Sequence, residues 1–517
     1  MRNSIVSSAI ILTIAGVITR ILGFVYRIFM SNLIGAEGMG LYQLILPVYS
    51  LAWSIACSGF TTTISKLVAQ EKAKGEEGNM GLLLKQCVMI TTVLGFLLFV
   101  LLYFFADELA ILFFRDARIA LSLRILSLAL PFMAAGSCVR GYFFGLQEPI
   151  IPATNQVFEQ CFRMLVVFFL AGFFIPLGIE YAAVVAVIGL VAEEIFSFVY
   201  IFFAYKIFKK KRMFKKRPSL TSRQSYWLIC TMALPLTANR VTGSLLATIE
   251  NALIPQRLQL YGLSASEAMS LFGQISGMAM PLIYFPSAFL ISLSISLVPA
   301  VSEASAINNR ARITTTTSKS ILFSAIIGFM AAAIFITFSF ELGDVIYNQD
   351  ISRILVLLGI MCPLLYMQVV LSGILNGLGF QMFIFKNSLI SSFISIVCIY
   401  FLVPIRGADG FVLGWFLSLM AVCFLSMVKL KQSVSLHFDF ANFFMKPLLS
   451  ALAAGLFTRY LANSYLFPKF GEILGLVIGI SLLCGIYMMW IIATQCLNLE
   501  DIRTLLKFGR KKGDLIA

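Results

Sequence analysis

Long apolar stretches alternate with short polar connections from one end of the chain to the other. Fourteen stretches are long enough to cross a bilayer as helices, for which about 20 residues suffice. The first six run over Ile5–Leu33, Tyr42–Lys66, Leu82–Phe105, Ile119–Phe144, Pro152–Phe174 and Tyr181–Tyr205. The next six cover Tyr226–Ile254, Ala268–Val298, Ser320–Phe340, Ile354–Leu378, Phe383–Val403 and Gly410–Val428, and the last two Phe443–Leu461 and Gly475–Leu497. This pattern predicts an all-α polytopic membrane protein. The first stretch is too long for a signal-peptide core and has no small-residue cleavage site behind it, so a retained first helix is expected.

Composition agrees. Of 517 residues, 60% are apolar and only 12% charged, against about 45–50% and 25% in a soluble domain. The mean hydropathy is +0.94. A cytosolic enzyme is excluded, and the connections leave no room for a sizeable soluble domain.

The net charge of +15 would suggest nucleic acid in a soluble protein. Here its placement decides otherwise. With the N-terminus in the cytoplasm, the inner connections collect Lys66, Lys72, Lys74 and Lys85, the run from Lys206 to Arg217, and Arg310, Arg312 and Lys319. Lys429, Lys431, Lys446 and the tail residues Arg503, Lys507, Arg510, Lys511 and Lys512 fall on the same side. The outer connections hold only a scatter, such as Arg115, Arg118, Arg257, Arg406 and Lys469. This asymmetry predicts a multi-pass protein of the cell membrane with both termini cytoplasmic. Membrane lipids, not nucleic acid, are the expected partners of these charges.

Other chemistry is sparse. The ten cysteines form no CxxC, and His437 is the only histidine. Neither a disulfide framework, a metal site nor a histidine-based catalytic set is expected. There is no GxxxxGK[ST] and no HExxH. The chain is expected to be a transporter, not an enzyme, and to need no cofactor.

The chain also repeats itself. Pro131, Gly141, Gly145 and Asn155 recur at an offset of 232 as Pro363, Gly373, Gly377 and Asn387. Nearer the start of each half, Arg20, Gly23 and Ile34 match Arg240, Gly243 and Ile254 at an offset of 220. Residues 1–205 are thus expected to form one six-helix lobe, 206–224 a basic cytoplasmic linker and 225–430 a second six-helix lobe. Residues 431–517 add two helices and a basic tail. Parallel repeats of this kind enclose substrate sites at their interface.

A charge at membrane depth costs about 2.5–3.5 kcal/mol on insertion scales and persists when paired or facing a wet cavity. Arg20 and Arg27 lie two turns apart on one helical face. Arg240 is the repeat mate of Arg20, with Asn239 beside it and Glu250 and Asn251 further along. These residues suggest a cationic cavity that holds an anionic, phosphate-bearing substrate through charge-assisted hydrogen bonds. Internal ion pairs or snorkelling are the alternative. Glu159 and Arg163 have the spacing of an intrahelical ion pair. Glu193 and Glu194 are adjacent, so only one can face a given partner. They suggest proton coupling or pairing with an arginine such as Arg163. Arg140 is expected to anchor the cytoplasmic interface. Pro47, Pro131, Pro235, Pro281, Pro286, Pro299 and Pro363 stud the stretches, as in a bundle that bends.

At these residues the sequence resembles a known superfamily. TRILGFVYRIFMSNLIGAEGMGLYQL (Thr19–Leu44), ISKLVAQEKAKG (Ile64–Gly75) and FPSAFLISLSISLVPAVSEA (Phe285–Ala304) are similar to segments of the multidrug/oligosaccharidyl-lipid/polysaccharide exporters. The match is to the stage V sporulation protein B branch, which is similar to the lipid II flippases. The resemblance implies two six-helix lobes in a V that alternate between inward and outward states. It implies that the two extra helices form a groove for a lipid tail. The implied cargo is an undecaprenyl-linked peptidoglycan precursor, flipped outward for spore cortex synthesis. Cavity arginines would bind its headgroup, and Na+, H+ or the membrane potential would reset the cycle. Cell-wall synthases are possible partners. Arg20 matches the arginine of the flippase pattern, and Arg27 matches with a one-residue shift. Pro281 stands where the flippases carry another arginine. Another polysaccharide-lipid cargo, a multidrug antiporter and a non-transporting scaffold remain alternatives.

Overall fold

A computed structural model of the chain describes residues 2–212, 218–434 and 439–497. Part of the basic linker (213–217), His437 and the tail with Arg503, Lys507, Arg510, Lys511 and Lys512 lie outside the described residues. The described chain is helical and contains no strand, and it is that of a multi-pass membrane protein. Nine of its helices are long and apolar enough to cross a membrane, or eleven if each of two bent pairs is one span.

The fourteen spans read from the sequence exceed this count, and the backbone shows where the two differ. Two of the nine helices are 61 and 53 residues long, more than twice what a bilayer needs. Each is interrupted at one glycine, Gly35 (φ 69°) and Gly471 (φ 73°). A left-handed residue breaks the helical path, and glycine adopts that conformation without a Cβ clash. The helix Ser222–Leu260, expected as the seventh span, is 39 residues long and carries Arg223, Arg240, Glu250 and Arg257.

The principal helices are α1 (Arg2–Trp53), α2 (Gly59–Lys74), α3 (Glu77–Phe104), α4 (Leu130–Gly145), α5 (Ile150–Phe174), α6 (Ile179–Arg212), α7 (Ser222–Leu260) and α8 (Ala265–Gly273). They continue as α9 (Ser287–Ala306), α10 (Arg310–Thr337), α11 (Cys362–Gly377), α12 (Gln381–Arg406), α13 (Ala408–Ser433), α14 (Lys446–Leu461) and α15 (Phe467–Ala493). The chain divides into two compact units, Met1–Met278 and Ala279–Ala517.

The first unit contains α7 and α8 as well as the six helices before them, because α7 is stitched along its length to what precedes it. At its start, Asn79 Oδ1 accepts the backbone N–H groups of Ser219 and Leu220 at 2.8 and 3.0 Å. Gln86 donates to Ser222 O at 2.9 Å, and a capping box between Thr221 and Gln224 starts the helix. At mid-helix, Gly59 lies against Ala233 and Thr237 with no room for a side chain. Further on, the Ser54 and Ser244 hydroxyls meet at 2.6 Å and Thr248 donates to Pro47 O at 3.2 Å.

The repeat seen in the sequence is a repeat of packing. In the first unit Gly141 and Gly145 bring α4 onto Thr61, Ser65 and Val68 of α2. In the second, Gly373 and Gly377 bring α11 onto Ser294, Val298 and Val301 of α9. Gly95 of α3 meets Leu130 and Pro131, and Gly328 of α10 meets Cys362 and Pro363. Each proline sits in the first turn of its helix, where its missing N–H costs no hydrogen bond. Before each of those helices the chain bends, by 47° in one unit and 48° in the other. Small residues let backbones approach closely where lipid offers no hydrophobic drive to pack. In the second unit α14 and α15 lie on α10: Gly455 meets Thr337, Tyr487 donates to Ile326 O at 2.9 Å, and Arg459 pairs with Glu341.

Leucine at Gly141 or Gly373 should destabilise the fold by about 1–3 kcal/mol each, the usual range for overpacking. Leucine at Gly172, where an added Cβ meets nothing within 4 Å, should leave it unchanged. Thermal unfolding in detergent measures all three. Equal midpoints would show that these glycines do not set the packing distance.

Candidate functional site

The first unit holds a cluster of charged and polar side chains inside its helices. Arg140 of α4 lies between two carboxylates, with Glu159 of α5 at 3.4 Å and Glu194 of α6 at 4.0 Å, and it donates to Ser197 at 2.9 Å. Asn155, fully buried, donates to Ser197 at 2.7 Å and to Glu159 at 3.0 Å. Tyr49 of α1 hydrogen-bonds to Glu194. One helical step away, Glu193 forms a 2.9 Å ion pair with Arg163 of α5. Arg163 also donates to Gln160 at 2.6 Å and lies over the Tyr26 ring at 4.6 Å. The cluster thus joins α1, α4, α5 and α6.

This geometry corrects two expectations. Glu159 and Arg163 do not pair along α5. Arg163 takes Glu193 across the helix gap and Glu159 takes Arg140, because pairing between helices also ties the bundle together. Arg140 is not an interface anchor. Its side chain is 20% exposed and sits amid carboxylates. The pairing of Arg163 with Glu193 agrees with one sequence reading, and the adjacent glutamates do face different partners. Tyr49, Tyr26 and Ser197 went unnoticed in the sequence. Ser197 could have been found, because it repeats: Asn387, the mate of Asn155, donates to Ser426 at 3.0 Å in the second unit.

The same comparison shows that the charge is confined to one unit. At the repeat offset of 232, Arg140, Glu159 and Arg163 correspond to Ser372, Ser391 and Ser395. Aligning Ser197 with Ser426 sets Glu193 and Glu194 on Val422 and Cys423. One scaffold therefore carries an ionic cluster in its first copy and uncharged residues in its second.

The residues expected to bind substrate are distributed differently. Arg20 is exposed on α1, with no ion pair among the described residues, and Arg27 is half-buried seven residues on. Arg27 directly follows Tyr26, the ring that Arg163 covers at 4.6 Å. Arg240 and Asn239 are exposed on α7, and the Arg240 guanidinium lies over the Trp53 ring at 5.9 Å. Glu250 and Asn251 are half-buried on the same helix, and Asn251 donates to Ala247 O at 2.8 Å. The ionic cluster brings Glu159, Arg163, Glu193 and Glu194 together with Arg140. The structure shows no direct contact from Arg240, Asn239 or Asn251 to it.

Removing one partner of a pair this sheltered leaves a charge uncompensated, at about 3–5 kcal/mol. Arg163→Met should therefore destabilise the protein strongly, and adding Glu193→Leu should restore much of the loss. A double-mutant cycle on thermal stability reads the coupling; additive effects would show that the two do not interact.

Residues 5–305 match the model of the family described as "Polysaccharide biosynthesis protein". The chain is 28% identical to stage V sporulation protein B of Bacillus subtilis (strain 168), over 98% of this chain and 99% of that protein. It is 24% identical to the lipid II flippase MurJ of the same organism, over 84% of this chain and 83% of that one. Its fold resembles the solved structure of lipid II flippase MurJ in an inward closed conformation, with a TM-score of 0.70 at 14% identity, covering 93% of this chain and 98% of that one. The family's model spans more than half of the chain, and the chain belongs to the polysaccharide biosynthesis protein family.

Proposed function

We propose that this chain is a flippase that carries an undecaprenyl-linked peptidoglycan precursor of the lipid II type across the cell membrane, in the service of spore cortex synthesis. The names of its relatives support the reading: one is a sporulation protein and another a lipid II flippase. The observation that carries it is Arg20, an exposed cation in a membrane-crossing helix with no ion pair among the described residues. Such a charge is maintained at a cost unless it faces water or an anionic ligand. A pyrophosphate-linked saccharide is such a ligand, and its polyprenyl tail need never leave hydrocarbon.

In this reading the headgroup enters from the cytoplasm and is gripped by Arg20, Arg27 and Arg240, with Asn239, Glu250 and Asn251 lining the path. Alternation between inward- and outward-open states carries it across, and the helices of 431–517 guide the tail. Both termini are cytoplasmic, and cell-wall synthases receive the product. A second cargo, another polysaccharide-lipid intermediate, is favoured by Pro281 at the position where flippases carry an arginine.

The ionic cluster serves as the coupling element. It sets three carboxylates, Glu159, Glu193 and Glu194, against two guanidiniums, Arg140 and Arg163. The excess acid is a natural receiver for H+ or Na+, and the membrane potential would act on its charge.

In reconstituted vesicles, wild-type protein should expose labelled lipid-linked precursor on the far leaflet. Arg20→Ala with Arg27→Ala should slow this by about tenfold or more per arginine, the weight of one charge-assisted hydrogen bond. Undiminished exposure by the folded double variant would reject the cationic headgroup site, and no exposure by wild type would favour the other cargo or a scaffold. Imposing a proton or sodium gradient should speed the wild type and leave Glu194→Gln indifferent. An equal response of both proteins would remove the cluster from coupling.

A further inference from the structure

The first unit contains an apolar crevice that the transport reading does not use. It lies between α7 and the end of α3 remote from Asn79 and the basic linker. Its inner part, a cavity of about 360 Å³, falls within the range of about 300–1,000 Å³ typical of small-molecule sites. Ala52, Leu102, Phe114, Leu123 and Leu130 close its inner end, and all are buried. A second cavity of about 330 Å³ shares Leu101, Leu109 and Phe113 with it. This one opens to the outside, where Leu101 is 53%, Phe105 56% and Leu112 77% exposed. The crevice therefore runs from an exposed, mainly apolar mouth into the helix bundle.

The lining of its inner part has nothing to offer a polar ligand. The one hydroxyl there, on Thr248, is already committed to Ser244 O at 2.8 Å and Pro47 O at 3.2 Å. A dry apolar cavity of this size binds apolar matter, and at membrane depth the available matter is a hydrocarbon chain. The segment that frames the mouth is fixed in place: Gln256 of α7 donates to Phe113 O at 2.6 Å, and the Phe113 and Phe114 rings meet edge to face at 4.9 Å.

The charges around the mouth select a headgroup. Asp107 pairs with Arg124, and Asp116 and Glu37 share Arg118. That leaves two exposed charges of opposite sign on the framing segment, Glu108 and Arg115, with no ion pair described for either. Glu108 lines the mouth itself. Arg115 ends the segment in the left-handed conformation at φ 56°. An anion and a cation seven residues apart, at the two ends of the framing segment, complement a headgroup that carries both a phosphate and an ammonium.

We propose that this crevice is a binding site for one chain of a zwitterionic aminophospholipid, with its phosphate at Arg115 and its amine at Glu108. In the orientation proposed above the lipid belongs to the outer leaflet. None of the headgroup arginines lines the crevice, so bound lipid would act as a wedge between α7 and α3, not as cargo.

The test places a reporter at the mouth. Full-length Phe113→Trp protein is reconstituted in vesicles doped with phosphatidylethanolamine or phosphatidylglycerol brominated on the acyl chain. The same measurement on the wild-type chain subtracts its four native tryptophans. The expected result is quenching at roughly fivefold lower content of the brominated aminophospholipid, the weight of one surface charge contact. Adding Ala52→Phe, which fills the inner cavity, should abolish the preference, and Glu108→Gln with Arg115→Gln should equalise the two lipids while leaving the cavity intact. The surface pair keeps the test decisive if Ala52→Phe fails to fold. Equal quenching by both lipids in the Phe113→Trp protein would overturn the proposal. So would an undiminished preference in either the filled or the uncharged variant.

Discussion

A guanidinium within an apolar helix bundle dictates its own surroundings. Arg140 is fixed on α4 by glycines that press that helix against α2, so it cannot retreat to water. Charges taken out of water are tolerated when each is met by opposite charge and by hydrogen bonds that satisfy what remains. Glu159, Glu194 and Ser197 meet that demand from two further helices. Asn155 and Tyr49 then satisfy the carboxylates in turn. One cation in the bundle thus specifies the relative positions of four helices, which apolar packing alone, being non-directional, would leave less well defined.

The second unit shows what the scaffold is without that cation. Its bend, its glycine contacts and its asparagine-to-serine hydrogen bond are in the same places. Its positions equivalent to Arg140, Glu159 and Arg163 are serines, among which Ser391 meets Ser418 at 2.6 Å. Packing is therefore common to the two halves, and the ionic cluster is confined to one of them.

Much of this could be read from the sequence because it rests on local signals. Twenty-residue apolar runs declare membrane helices whatever their neighbours do, and Pro131, Gly141, Gly145 and Asn155 announced the repeat by identity and spacing. The seventh stretch showed its charges openly. What could not be read was pairing. Spacing by four residues put Arg163 beside Glu159, yet which acid an arginine takes depends on helix rotation, and rotation is set by contacts remote in sequence. Arg140 looked like an anchor because depth was judged from its distance to the end of a hydrophobic run. The break at Gly35 was equally hidden, since the polar residues around it suggested a loop where the chain turns on a single glycine.

The stitching of α7 to α1, α2 and α3 bears on what the basic linker is for. Asn79, Gln86, Ser54, Gly59 and Thr248 hold α7 in its unit by contacts from one end of the helix to the other. The peptide bonds between residues 212 and 218 are then not what keeps α7 in place. A chain nicked there would keep its two pieces together, as a split protein whose halves recognise each other across the membrane. The connection can accordingly vary in length and composition without loosening α7.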